Sequence, residues 1–475
     1  MVVERQPESP APSVSRRVRG SMLSSAASLL SSLGSYALIS RCVGPAEYGR
    51  AAVILSLWGL CTTATDWCGG VMMRYGPVEL ARQRSLRLTL STRLLFAVPA
   101  LALLVPGAPL YFVHQRGGSA RLGWLMAAFL VASAALGIAQ WCAIAAQRFA
   151  PLTLANTLVR AMPMLVIALL WSAHRPVVAE ALVVATVAGA ALGATVLFSA
   201  LWPLLGIVRP DRALLASMWR YSLPSLVAAP SLAAMTYVDP LILQRSVSHA
   251  DVGRYQLAYL TVTAFGMAGA SLNSVLSPEL VGARERGDER AVERYRSVTQ
   301  PRLAVSLGLC ACAVACVMAP LVRALLPSAW AGAAGPAAIL TVAGALMLGV
   351  WSFHPLVTVS DSVWALELAT ILSAITNVGL DLWLAPRAGV TGVALANVAA
   401  WGVQLVALAL LLHRRIGARR LTLLLVPCAV IVLVIVAAGP GWARLVAAVA
   451  LLGAGAAFHR AQARAALTTA PASAR

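Results

Sequence analysis

Apolar stretches of about 20 residues, each enough to cross a ~30 Å hydrocarbon core, recur from Gly20 almost to the end of this 475-residue chain, with short polar breaks between them. Lipid offers no partner to a bare peptide group, so stretches of this length must close their hydrogen bonds internally as α-helices. Only 11% of residues are charged and 60% are hydrophobic, with a mean hydropathy of +0.81. An ordinary soluble domain is about a quarter charged. The expected fold is an all-α polytopic membrane protein of about fourteen spans. The first seven are placed at 20–41, 50–73, 92–113, 121–146, 151–173, 177–206 and 219–243. The second seven are placed at 253–278, 302–326, 333–357, 362–385, 390–412, 421–438 and 441–458.

The formal charge of +20 comes from 37 basic residues, all of them Arg. With the N-terminus inside, most fall in the tails and in loops assigned to the cytoplasm, as the positive-inside rule requires. The charge then orients the chain and meets anionic headgroups, and nucleic-acid binding is not expected. Residues 1–19 read as a disordered basic tail lacking the apolar core of a cleaved signal peptide. Eight scattered cysteines without metal-ligand spacing read as buried small hydrophobes. No metal or cofactor is expected.

A short pattern occurs twice. Arg41-Cys42-Val43-Gly44-Pro45-Ala46-Glu47-Tyr48-Gly49-Arg50 returns as Arg245-Ser246-Val247-Ser248-His249-Ala250-Asp251-Val252-Gly253-Arg254. Six expected spans separate the copies, so both face the same, outer side. That describes a parallel repeat, with halves related by an axis along the membrane normal and a ligand held between them. The expected organisation is an N-lobe at 20–206, a cytoplasmic linker at 207–220 and a C-lobe at 221–412. Two additional spans follow at 413–458, then a cytoplasmic tail at 459–475. The polar stretch 279–302 alternates Arg with acids and is expected to form an interfacial cytoplasmic helix. Prolines 163, 224, 230, 320, 336 and 355 lie inside spans and predict kinks.

Ionisable groups inside the hydrocarbon cost about 2.5–3.5 kcal/mol on insertion scales, so each needs a reason. Arg160 lies near the middle of the fifth span and is expected to face a central cavity, with a structural ion pair as the alternative. Asp66, Asp239, Glu367 and Asp381 are candidates for a coupling cation or for ion pairs. Arg41, Arg50, Arg245 and Arg254 sit at outer span ends, against the general charge bias. They suit an anionic ligand at the mouth of a cavity, since guanidinium binds phosphate oxygens bidentately; snorkelling to headgroups is the other reading. The sequence has no Walker A motif, HExxH, nucleophile elbow or aspartate-rich glycosyltransferase motif, and no extramembrane stretch long enough for its own core. Transport, not catalysis, is expected.

These residues also carry a resemblance. Residues 38–50 resemble the "LGPxEYG" loop after the first span of Wzx-type polysaccharide-biosynthesis flippases, members of the MATE-like flippase superfamily. Asp239-Pro240-Leu241-Ile242-Leu243 followed by Val252-Gly253-Arg254-Tyr255 is similar to the "D-x-LILG…VGxY" element. Ser277-Pro278-Glu279-Leu280 resembles the exit of the eighth span, and residues 377–394 resemble "NxxLNxxLIPxxGxxGAA". Gln244 stands where Gly is usual, and Asp381 where Asn is frequent. The resemblance covers roughly residues 20–412. It implies a polyprenyl-pyrophosphate-linked oligosaccharide carried across a bacterial cytoplasmic membrane by alternating access, driven by a cation gradient or the membrane potential. Membrane lipids and polysaccharide assembly proteins would be the other partners. Two alternatives predict different sequences. A small-molecule exporter of the same superfamily needs an acidic cavity, and a membrane-embedded polymerase or ligase needs a large outer loop.

Overall fold

The computed structural model describes residues 37–114, 120–209, 212–360, 362–413, 416–438 and 441–468, together with Gly34. Helix is the regular structure throughout those residues. The first half holds α1 (Pro45–Asp66), α2 (Gly70–Gln83), α3 (Arg87–His114), α4 (Ala120–Ala145), α5 (Phe149–Ser172) and α6 (Ala179–Leu201). The second holds α7 (Arg212–Leu243), α8 (His249–Glu285), α9 (Glu289–Arg294), α10 (Gln300–Leu325), α11 (Ala334–Trp351), α12 (His354–Ser360) and α13 (Val363–Leu412). Then come α14 (Ile416–Leu423), α15 (Leu425–Ala438) and α16 (Gly441–Thr468). The tail 1–19 and most of the first expected span lie outside the described residues; residues 37–42 are helical.

Among the described residues, nine helical segments are long and apolar enough to cross a membrane. One of them, α13, has 50 residues, a length of ~75 Å at 1.5 Å per residue and more than twice a hydrocarbon core. Gly389 breaks it with φ 53° and ψ −134°, a conformation closed to residues with a Cβ. Two spans result, on either side of the break expected between 385 and 390. α1 and α8 are also long enough to span, but Glu47, Arg50 and Asp66 on α1 and Asp251, Arg254 and Arg284 on α8 make them more polar. The expected span 50–73 is divided, because the chain turns at Trp67–Gly69 between α1 and α2.

Helix composition decides depth in the bundle. The 18-residue apolar window of the Ser328–Val359 segment, which contains α11, is 94% buried, whereas that of α5 is 11% buried. α11 is apolar on every face and packs against α8, α10, α13 and α15, as an all-round hydrophobic helix should. α3 to α6 pack mainly on one another, and α7 packs along α13. The principal contacts joining the first set of helices to the second run from α1 to α7 and α8, and from α2 to α7.

The charged stretch 279–302 is not one helix. α8 continues to Glu285, Gly287 turns with φ 75°, and Asp288 caps α9 by accepting the Ala291 amide at 3.0 Å. Glu293 and Arg296 pair at 3.5 Å, three residues apart. Glu79 does an analogous job for α3. Its carboxylate accepts the Leu88 and Thr89 amides at 2.8 Å each and the Thr89 hydroxyl at 2.6 Å, meeting the unpaired N–H groups and positive end of the helix. Glu79→Ala should therefore lower stability by about 0.5–2 kcal/mol, the usual worth of a lost N-terminal cap. A thermal melt of the detergent-solubilised variant checks this.

Candidate functional site

Two polar clusters lie inside the helical body, and the repeated motif forms a third arrangement. The first cluster joins α7, α8 and both halves of α13. Asp239 and Asp381 are 2% and 0% exposed, and the side chains that donate to them, Asn377, Asn397 and Tyr255, are uncharged. Asn377 donates from Nδ2 to Asp239 Oδ1 at 3.0 Å and to Asp381 Oδ2 at 3.1 Å. Asn397 donates to Asp239 Oδ2 at 2.8 Å, and the Tyr255 hydroxyl donates to the same oxygen. Asp381 Oδ1 and Asn377 Oδ1 are buried and have no hydrogen-bond partner. Two carboxyl groups without a counter-ion are costly in low dielectric, and two orphaned oxygens beside them add to the cost. The chemistry that satisfies this donor set is a proton or a hard, oxygen-seeking cation.

In the second cluster, Arg93 on α3 pairs with Asp66 at 2.6 Å and also donates to Cys68 Sγ. Trp141 Nε1 donates to the same Asp66 oxygen at 3.1 Å. Arg93 is 1% exposed whereas the Asp66 side chain is 47% exposed, so the arginine is buried behind a carboxylate that faces open space. Asp66 is thus held in an ion pair. Glu367 lies apart from both clusters, on α13, where Ser225 of α7 donates to it at 3.0 Å.

The two motif copies touch one another. A Cβ placed on Gly49 would overlap the His249 carbonyl, and one on Gly253 would overlap the Pro45 carbonyl. The contact is reciprocal: equivalent positions of the repeat meet across the α1–α8 crossing. Only glycine allows two backbones this close. Each copy also carries an i,i+3 ion pair, Glu47–Arg50 at 2.8 Å and Asp251–Arg254 at 2.7 Å. Glu47 also accepts the Ala179 amide at the start of α6 at 2.9 Å, and Arg254 donates to the Ala329 carbonyl at 3.0 Å. Arg41 and Arg245 are exposed and make no ion pair among the described residues. Arg160 is half-buried on α5 and holds an interaction within the protein.

Of the anticipated acids, Asp239 and Asp381 meet, although 142 positions apart, while Asp66 and Glu367 do not join them. Sequence reasoning passed over Tyr255, Asn377 and Asn397 as site residues. The i,i+4 spacing of Asn377 and Asp381 on one apolar helix is the signal that could have found one of them. Arg93, at the edge of the expected span 92–113, was likewise not singled out. The eight cysteines are unpaired; Cys68, Cys142, Cys312 and Cys316 are buried and Cys310 is exposed.

This architecture defines the class: a polytopic, all-helical membrane protein with the fold of the MOP-superfamily transporters. The chain belongs to the polysaccharide biosynthesis protein family, whose model matches residues 18–281. Its fold is similar to that of the lipid II flippase MurJ in an inward closed conformation, with a TM-score of 0.63 and 11% identity, covering 94% of this chain and 99% of the other. An outward-facing multidrug resistance MATE family transporter aligns with a TM-score of 0.60 and 14% identity, covering 86% and 95% respectively. A MOP superfamily transporter from Pyrococcus furiosus gives 0.57 and 14%, covering 92% and 96%. No curated protein sequence matches the chain significantly.

Proposed function

We propose that this chain is a flippase that carries a polyprenyl-pyrophosphate-linked oligosaccharide from the inner to the outer leaflet of a bacterial cytoplasmic membrane. It works by alternating access between α1–α6 and the helices from α7 onward, with both termini cytoplasmic and no covalent reaction. Membership of the polysaccharide biosynthesis family supports the glycan-lipid substrate. The observation that carries the transport mechanism is the buried Asp239–Asp381 pair, bridged by Asn377 with no counter-charge among its bonded partners. A bound cation or proton would supply the free energy of its gradient, with Asp239, Asp381, Asn377 and Asn397 as the groups that hold it. Asp239 stands on α7 and the others on α13, so the charge state of the cluster sets the attraction between the two helices.

Arg41 and Arg245 are the outer-face positions we expect to meet the pyrophosphate, because their guanidinium groups are exposed and make no ion pair among the described residues. Arg50, Arg254 and Arg160 complete the expected anion-binding set, the first two held in place by their own-helix carboxylates. Deleting the gene and analysing lipid-linked oligosaccharide leaflet by leaflet tests the function. The substrate should accumulate in the inner leaflet, and delivery to the outer leaflet with no redundant flippase would refute the reading. Charge reversal at both positions, R41E with R245E, should cut complementation about tenfold or more, as expected for lost charge-assisted contacts. Full export by a well-expressed double variant would remove these arginines from the site.

A further inference from the structure

A groove of about 850 Å³ runs along α4 and α6, with Val105 of α3 on its flank. The two helices are tied at both ends. Arg121 and Glu180 pair at 3.4 Å beside their starts, at the motif end of the molecule where Glu47 accepts the Ala179 amide. Arg148, just past α4, donates to the Ala200 carbonyl at 2.7 Å near the end of α6. The helices are therefore parallel and level. Small buried residues, among them Ala127 and Ala194, form the floor of the groove, and the exposed Trp124, Val131 and Trp202 form its rims. Thr195 and Ser199 are the polar members of the lining, and their hydroxyls donate to the Ala191 and Thr195 carbonyls of their own helix. With those protons spent on the helix, the groove suits hydrocarbon.

Its length and charge identify the occupant. Measured from the level of the Arg121–Glu180 pair, Trp124 and Trp202 are separated by about 19 residues of helix, or ~28 Å at 1.5 Å per residue. That is nearly the whole of a ~30 Å hydrocarbon core, whereas each chain of an ordinary phospholipid fills only its own half. A polyprenyl tail is long enough to follow the groove from end to end. The Trp202 end is basic. Arg148 is exposed, makes no ion pair among the described residues, and spends one of its five N–H donors on Ala200. Its backbone is held by the turn at Gln147, where φ is 55°, and by its own amide, which donates to the Ala143 carbonyl at 2.8 Å. A guanidinium at the end of a hydrocarbon groove complements a phosphate at the head of the chain.

We propose that the α4–α6 groove holds the isoprenoid tail of a polyprenyl-linked substrate, with Arg148 on the phosphate at the end opposite the repeated motif. This rests on the flippase reading and adds to it a tail site on the flank of α4 and α6. The full-length protein is placed in phosphatidylcholine nanodiscs doped with undecaprenyl phosphate, and the lipid it retains is counted by native mass spectrometry. Ala128 and Ala191 are exposed members of the lining, so A128F with A191F fills the groove without entering the packed core. Retention of undecaprenyl phosphate should fall about tenfold, as expected when a few methylene groups lose their contacts. A128F alone keeps the measurement open if the double variant does not fold. R148Q should also weaken retention about tenfold, the worth of a lost charge-assisted contact, and should leave uncharged undecaprenol unaffected.

Phosphatidylglycerol, anionic but with chains that span one leaflet, should displace undecaprenyl phosphate only weakly. Unchanged retention in the groove-filled variants would overturn the site. Displacement by phosphatidylglycerol at equal concentration would overturn its assignment to an isoprenoid chain. Equal losses of undecaprenol and undecaprenyl phosphate in R148Q would remove Arg148 from the headgroup. Failure of the flippase reading looks different: outer-leaflet delivery would continue after gene deletion while the purified protein still retained undecaprenyl phosphate through the groove.

Discussion

Replacing Asp381 by Asn should reduce gradient-driven transport about 10- to 100-fold, the range seen when groups around a bound ion are neutralised. The substitution keeps the size of the side chain and leaves an oxygen to accept from Asn377, so the packing of α13 survives and the charge is lost. If the cluster holds a metal cation, one of its two carboxylates disappears; if it holds a proton, Asn imitates the protonated state permanently. Both routes remove the dependence on the gradient. The equivalent change at Asp239 is less clean. Oδ1 of Asp239 accepts from Asn377 and Oδ2 accepts from Asn397 and Tyr255, so an amide NH₂ would face a donor in either orientation. Asp239→Asn should therefore lose thermal stability as well as transport, whereas Asp381→Asn should lose transport with a nearly unchanged melt. Proteoliposomes with imposed sodium or proton gradients provide the measurement. Asp381→Asn transport as fast and as gradient-dependent as the wild type would exclude the cluster from coupling.

The second large effect is expected at the crossing of α1 and α8. Gly49→Val and Gly253→Val each place a β-branched side chain where the partner helix presents a backbone carbonyl, of His249 and Pro45 respectively. Backbone cannot rotate away as a side chain can, so the crossing must separate. Overpacking of this kind costs about 1–3 kcal/mol or more, equivalent to a 5- to 150-fold shift between states that do and do not contain the contact. Spin labels at the exposed positions Gly44 and Ser248, on a cysteine-free background, should report a longer distance across the motif end of the crossing in either variant. The two substitutions should act alike because the contact is reciprocal. A distance distribution unchanged from wild type would show that the glycine crossing does not hold the two helices together. The motif copies thus serve first as the surfaces through which α1 and α8 touch, with Arg50 and Arg254 secured beside them by Glu47 and Asp251.

Helix content and membrane insertion were legible because they depend on local properties. Twenty apolar residues in a row are a helix in lipid wherever they occur, and the break at Gly389 is written in a single residue. Depth in the bundle was settled by packing: the window of α11 is 94% buried and that of α5 11%. The candidate acids could also be found singly, as each is an exception to the apolar run in which it lies. Their grouping was not visible. Asp66 and Asp239 are both carboxylates near span ends, yet one lies against Arg93 and the other against two asparagines and a tyrosine. The sequence around each gives no sign of that difference.

By itself, then, the sequence determined an all-helical membrane protein, a repeated Gly-Arg motif and a small set of intramembrane charges, because hydrophobic length and isolated charge are properties of a segment. Tertiary structure alone decided which of those charges are neutralised. It gave Asp239 and Asp381 uncharged donors, gave Asp66 to Arg93, and brought Gly49 against Gly253. The energy of a buried charge depends on what stands within a few ångströms of it, and the helices that supply those neighbours are separated by more than a hundred residues of chain.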